Sequence, residues 1–312
     1  ASITSAATFI INPGFVAFFG WSAFLAMSVV LPIGLFISLV ILSKSFRKFG
    51  TSVKALTLAQ WMGTRYQSKA MSYFMAFVSL LLITFIVLIC VGLTKVIASS
   101  LQADETLVLV AIVVFVFGYT LFGGANSMVY TNTIQAMLMI IVAIILISSG
   151  SSHFEQGMTG FWDKINAIDP QLSKSFNPAS PLFRDFFEVV ICNFIVGIAI
   201  VCQPHIITRS LLLKSDEDVN KYLTVAIVVE TLFFAVLFAG FYARLMFPDL
   251  TLDGSPIKMD GILSTYVVKK FSVGVGILVV LGLISAGLST LEGIVQSLST
   301  TISNDIIAPL GG

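Results

Sequence analysis

From Val16 to Leu42 the chain runs without a charged side chain, and stretches of the same kind recur along its length. A run of about 20 apolar residues crosses the hydrocarbon core of a bilayer as a helix. Within lipid, only helices and closed barrels satisfy their own backbone. The fold class read from these runs is an all-α polytopic membrane protein, with the lipid bilayer as its first partner. Composition agrees: AVILMFWYC residues make up 57% of the 312 and charged residues 11%, against roughly 25% charged in a soluble domain. A soluble globular chain and a disordered one are both excluded. The 17 Lys+Arg nearly balance the 16 Asp+Glu, so nothing points to nucleic acid as a partner. The chain starts at Ala1 inside an apolar stretch and stops at Gly311-Gly312 soon after another. Both ends read as cuts through a larger protein.

Breaking the runs at charge, Gly/Pro and polar clusters gives a short segment, 3–11, ended by Asn12-Pro13-Gly14. Seven spans follow, near 16–42, 70–93, 107–122, 128–147, 186–201, 222–246 and 271–302. Gly123 to Ser127 reads as the turn between the third and fourth of them. Lys44, Arg47, Lys48, Lys54, Arg65 and Lys69 sit in one connection, and no acidic residue precedes Asp104. The 43–69 loop is therefore expected in the cytoplasm, with the 45–69 stretch lying in the interface. Alternation sends 149–180 outside, where Trp21 and Trp162 fit the outer interface and Arg244 can snorkel.

No soluble-enzyme motif is present, so the chain is not expected to be an enzyme. Cys90, Cys192 and Cys202 lie in apolar runs without CxxC, and His153 and His205 are isolated. The informative residues are polar ones in the last span. At 100° per residue Ala286, Ser289, Thr290 and Gly293 share one helical face. Small residues with two adjacent hydroxyls suit helix packing. They also suit a hard cation, which wants several oxygen ligands and finds them in hydroxyls and freed backbone carbonyls. Glu292 on the same helix is an ionisable group at membrane depth, and so a functional candidate.

Several stretches, in order along the chain, carry a resemblance. They are Ser5-Ala6-Ala7-Thr8-Phe9-Ile10 with Pro13-Gly14, Ala55-Leu56-Thr57-Leu58 with Arg65-Tyr66, and Tyr119-Thr120-Leu121-Phe122-Gly123-Gly124 with Tyr130-Thr131-Asn132-Thr133-Ile134-Gln135. Gln203-Pro204-His205-Ile206-Ile207-Thr208-Arg209 and Ser289-Thr290 with Ser303-Asn304-Asp305 complete the set. The sequence resembles the sodium:solute symporter family. The resemblance implies a leucine-transporter-type inverted repeat, incomplete here and covering core helices 1b to 8. Residues 1–148 would form the first repeat (core helices 1b to 5), 149–183 an extracellular loop, and 184–312 a partial second repeat (core helices 6 to 8). It implies sodium-coupled symport of a small solute by alternating access in a bacterial inner membrane, with Na+ as the coupled ion. A transporter-like sensor or scaffold that binds solute without moving it is the alternative.

Carried over by position, the sodium site would use main-chain oxygens of Ala1, Thr4 and Ala286 and the hydroxyls of Ser289 and Thr290. Family members often have Asp where this chain has Asn132. Glu292 stands where small polar residues are common, and the family fold brings these two helices together. Glu292 with Asn132 is therefore expected to form a second cation site or a proton acceptor. The solute is expected between core helices 1 and 6, with Ser5, Thr8, Asn193, Gly197 and Gln203 as candidates and Gly197 marking an unwound turn. Ile3 stands where proline carriers have Asp, and aliphatic residues line the helix where sugar carriers have polar and aromatic ones. The Ser5–Gly14 run looks most like carriers of pantothenate and short-chain carboxylates, so the expected solute is a small organic anion.

Overall fold

The computed structural model describes residues 7–53, 55–121, 130–213 and 215–310. It is helical almost throughout. Among the described residues the strands are one antiparallel pair of two residues each, Thr251–Leu252 with Ser255–Pro256. Among the described residues five helices are long and apolar enough to cross a membrane: Trp21–Gly50, Lys69–Ala98, Tyr130–Phe154, Asp216–Met246 and Val273–Ile307. A sixth is bent by 58° between Phe187–Val201 and Pro204–Leu211, and two shorter apolar helices are Thr8–Phe19 and Glu105–Leu121. They follow the expected order, with the expected 107–122 span and the half-span present as the two shorter helices. Leu81, Val87, Val114, Ile134 and Val228 are each more than half exposed. Such surface is an aggregation hazard in water and the normal lining of a protein in lipid.

The half-span differs from the sequence reading. It does not end at Asn12-Pro13-Gly14. A π-helical turn, Ala7–Ile11, passes directly into an α-helix, Asn12–Phe19, with Pro13 near the junction, where the helical backbone goes without one hydrogen bond. The chain breaks instead at Gly20, whose φ is +67°. A side chain there would also meet the Leu172 carbonyl oxygen at 2.1 Å. Only glycine meets both conditions.

The expected turn at Gly123–Ser127 lies outside the residues whose placement the structure describes. The helices on either side of it, Glu105–Leu121 and Tyr130–Phe154, come together at Glu292. A straight helix would hold Tyr119 and Gln135 about 24 Å apart, yet both side chains bond the same carboxylate oxygen of Glu292.

Gly197 is the second difference. It lies inside the regular helix Asn193–Val201. A Cβ on it would lie 2.2 Å from the Leu31 carbonyl oxygen, so this glycine is a contact point with the Leu31–Val53 helix rather than an unwound turn. Ser38 Oγ crosses the same seam to donate to the Ile198 carbonyl at 3.2 Å. The unwinding comes later, at Gln203, whose ψ of 136° is extended. Pro204 disfavours helical backbone at the residue before it.

At the far end from the basic stretch, Trp21 and Trp162 meet edge-to-face at 5.6 Å. Phe161 packs on Phe154 and Phe238. This aromatic cluster holds the Gly157–Ile168 helix down on the ends of the spans. Arg244, expected to snorkel, is partly buried, and its Nε and Nη1 have no hydrogen-bond partner. At the basic end the Leu31–Val53 helix extends well past the apolar run. The short Leu58–Arg65 helix folds back on it, with the Trp61 ring stacked 4.7 Å from Phe46 and its Nε1 donating to the Phe46 carbonyl at 3.0 Å. Asp305 near the end of the last span is buried, and its Oδ2 has no hydrogen-bond partner among the described residues.

Gly197→Ala is expected to destabilise the protein by roughly 1–3 kcal/mol, the usual cost of overpacking a tight seam. Gly92→Ala, facing open space, is expected to leave stability unchanged. Thermal unfolding of the detergent-purified variants measures both, and equal midpoints would contradict the seam.

Candidate functional site

The Val273–Thr301 helix supplies the chemistry. Ala286 and Ser289 are fully buried and Thr290 nearly so. Ser289 Oγ and Thr290 Oγ1 each donate to the Ala286 carbonyl oxygen at 3.1 Å. Three oxygens therefore converge within one turn, on the face the periodicity picked out. Back-bonding of this kind is how a helix satisfies buried hydroxyls. A cation can use the same oxygens once the hydroxyl protons rotate away. The π-helical turn Ala7–Ile11 packs against this helix and buries Thr8; such turns are frequent at functional sites. Ala1, Thr4 and Ser5 lie outside the described residues.

Half a turn further on, Glu292 is completely buried. Its Oε1 accepts from the Tyr119 hydroxyl and from Gln135 Nε2 at 3.0 Å. Its Oε2 accepts from Asn132 Nδ2 at 3.2 Å and Thr131 Oγ1 at 3.3 Å. One of the four donors comes from the Glu105–Leu121 helix and three from Tyr130–Phe154. Burying a carboxylate costs several kcal/mol. Hydrogen bonds to a charged group return about 1.5–3 kcal/mol each, so four together are of the size needed to offset it. None of the ion pairs among the described residues involves Glu292. The donors to it are neutral, and Arg209 lies beside the adjoining Gly293, where its Nη2 would be 3.0 Å from an added Cβ.

The remaining solute candidates lie along the bent span. Asn193 Nδ2 donates to the Glu188 carbonyl at 2.8 Å, beside the π-helical turn Phe187–Cys192. Gly197 is spent on the Leu31 contact, and Gln203 sits in the break of the bent span. Of the other acidic groups, Glu188 pairs with Arg184 and Glu230 is buried. Sequence reasoning placed Glu292 near Asn132. It did not find Tyr119, Thr131 and Gln135 as partners of that carboxylate, nor Arg209 on Gly293. The available signal was that Thr131, Asn132 and Gln135, spaced i, i+1 and i+4, put three polar groups on one side of an apolar helix.

The sodium:solute symporter family profile matches residues 1–310. The chain belongs to the sodium:solute symporter family. A sodium/pantothenate symporter of Escherichia coli (strain K12) is 29% identical over 261 residues, which is 80% of this chain and 52% of that protein. A sodium/pantothenate symporter of Haemophilus influenzae is 25% identical over 315 residues, 97% of this chain and 61% of that protein. A sodium/sialic acid symporter of Aliivibrio fischeri is 25% identical over 209 residues, 62% of this chain and 40% of that protein. The chain thus spans between half and two thirds of the length of the two pantothenate relatives it matches. It is a membrane-embedded member of a transporter family, and the buried carboxylate lies in its last described span.

Removing one donor tests whether the cluster around Glu292 stabilises this symporter-family chain. Tyr119→Phe is expected to cost about 1–3 kcal/mol, read as a lowered unfolding temperature in detergent. An unchanged midpoint would show that the carboxylate does not depend on this bond.

Proposed function

We propose that the protein is a secondary active transporter that couples the inward movement of sodium to the uptake of a small organic anion, a monocarboxylate or a pantothenate-like acid. The observation that carries this reading is the convergence of the Ala286 carbonyl and the Ser289 and Thr290 hydroxyls on a helix packed against a π-helical turn. Sodium would bind these oxygens together with main-chain oxygens of Ala1 and Thr4. Glu292 with Asn132 would form a second site, for a cation or a proton. The solute would bind near Ser5, Thr8, Asn193, Gly197 and Gln203. The two pantothenate relatives support the choice of solute.

Transport by alternating access would move residues 1–148 and 184–312, as two inverted repeats, around these sites. The basic 43–69 stretch would face the cytoplasm of a bacterial inner membrane, with 149–183 outside. The break at Gln203 is a backbone irregularity of the kind tolerated at membrane depth only within protein or beside a cavity. One sodium ion driven by 100 mV gains about 2.3 kcal/mol. A monoanion carried one-to-one cancels that charge, so the sodium concentration gradient, or a second sodium ion, has to drive its uptake.

Replacing both hydroxyls, Ser289→Ala with Thr290→Ala, is expected to raise the sodium concentration for half-maximal uptake at least about tenfold. Uptake by that variant with wild-type sodium dependence would refute the site. Glu292→Gln is expected to change the sodium dependence if the second site takes a cation, and the pH dependence at fixed sodium if it takes a proton. Neither changing would remove Glu292 from the mechanism.

A further inference from the structure

Arg209 is the charged residue of the Gln203–Arg209 motif, and the proposed function does not use it. It lies past the break, on the Pro204–Leu211 half of the bent span. Its Nε donates to the His205 carbonyl at 3.2 Å, one turn back. That is the only hydrogen bond its guanidinium makes among the described residues, and no carboxylate there lies within ion-pair distance of it. A desolvated guanidinium normally finds an acceptor. This one is laid across the last span at Gly293, where an added Cβ would be 3.0 Å from Nη2. Gly293 adjoins Glu292, whose carboxylate attracts Arg209 without touching it. The glycine leaves the guanidinium room to stand at the edge of the Glu292 cluster, which the donors of the Glu105–Leu121 and Tyr130–Phe154 helices close from the other side.

We propose that Arg209 is a tethered cation that competes with transported sodium for Glu292, with Gly293 as the gap through which it approaches. Two positive charges a few ångströms apart in a protein interior repel strongly. A sodium ion at Glu292 therefore disfavours the approach of Arg209, and the approach of Arg209 favours the ion's departure. The Gln203 break lets the half-span carrying Arg209 move relative to Phe187–Val201, so its distance from Glu292 follows the conformation of the bent span. Arg209 acts here as a positioning residue that sets when sodium leaves.

The inference rests on the reading of Glu292 as a cation site, and one set of reconstituted variants separates the two. Sodium titrations of uptake, with direct binding of radioactive sodium to the detergent-purified protein, are compared for wild type, Arg209→Gln, Arg209→Lys, Gly293→Ala and Glu292→Gln. Arg209→Gln is expected to lower the half-saturating sodium concentration roughly five- to tenfold and to slow turnover. Arg209→Lys, which keeps the charge, stays within about twofold of wild type. Gly293→Ala moves sodium affinity in the same direction as Arg209→Gln by a smaller factor. If Glu292→Gln weakens sodium binding while Arg209→Gln leaves it unchanged or weakens it too, the competition is overturned and the cation site stands. If Glu292→Gln leaves sodium binding unchanged, the cation site falls and the competition with it. The binding measurement needs no turnover, so a variant that binds without transporting still decides the matter.

Discussion

A carboxylate with no exposed surface has to be satisfied by protein, and satisfying Glu292 constrains much of the rest of the molecule. Its four donors come from two helices, Glu105–Leu121 and Tyr130–Phe154. They reach it only where both helices meet the last span, so one buried side chain fixes how the two lie against it. The same contact sets the rotation of the last span. With Glu292 turned toward these donors, Ser289 and Thr290 share the Ala286 carbonyl and Gly293 lies under Arg209. The hydroxyl pair and the carboxylate are thus held on one helix, two residues apart.

Much of the architecture was legible in the sequence because lipid allows so few solutions. Charge-free runs announced the spans, and the number and order of spans followed. The Ser289-Thr290 pair was legible because helical periodicity alone puts it with Ala286 and Gly293. What failed was the reading of glycines and short polar runs. Gly197 carries the same letter whether the backbone unwinds or a neighbouring helix presses on it, and here Leu31 presses on it. Pro204 was the better guide to the break, because a proline restricts the residue before it whatever surrounds it.

The donors to Glu292 could not be read locally, since Tyr119 and Gln135 lie on two different helices that meet only in the fold. Family resemblance placed Asn132 near Glu292, because it supplies which helices are neighbours. It did not supply Arg209 and Gly293, whose meeting is a matter of one missing side chain.

The central claim is that sodium drives solute through this protein. The most direct measurement is solute accumulation in proteoliposomes under an imposed inward sodium gradient, with pantothenate and short-chain carboxylates as test solutes. The account predicts accumulation above the external concentration that needs both sodium and the gradient and collapses when an ionophore dissipates it. Uptake that is the same with sodium replaced by choline, or saturable binding of solute with no accumulation, would contradict it.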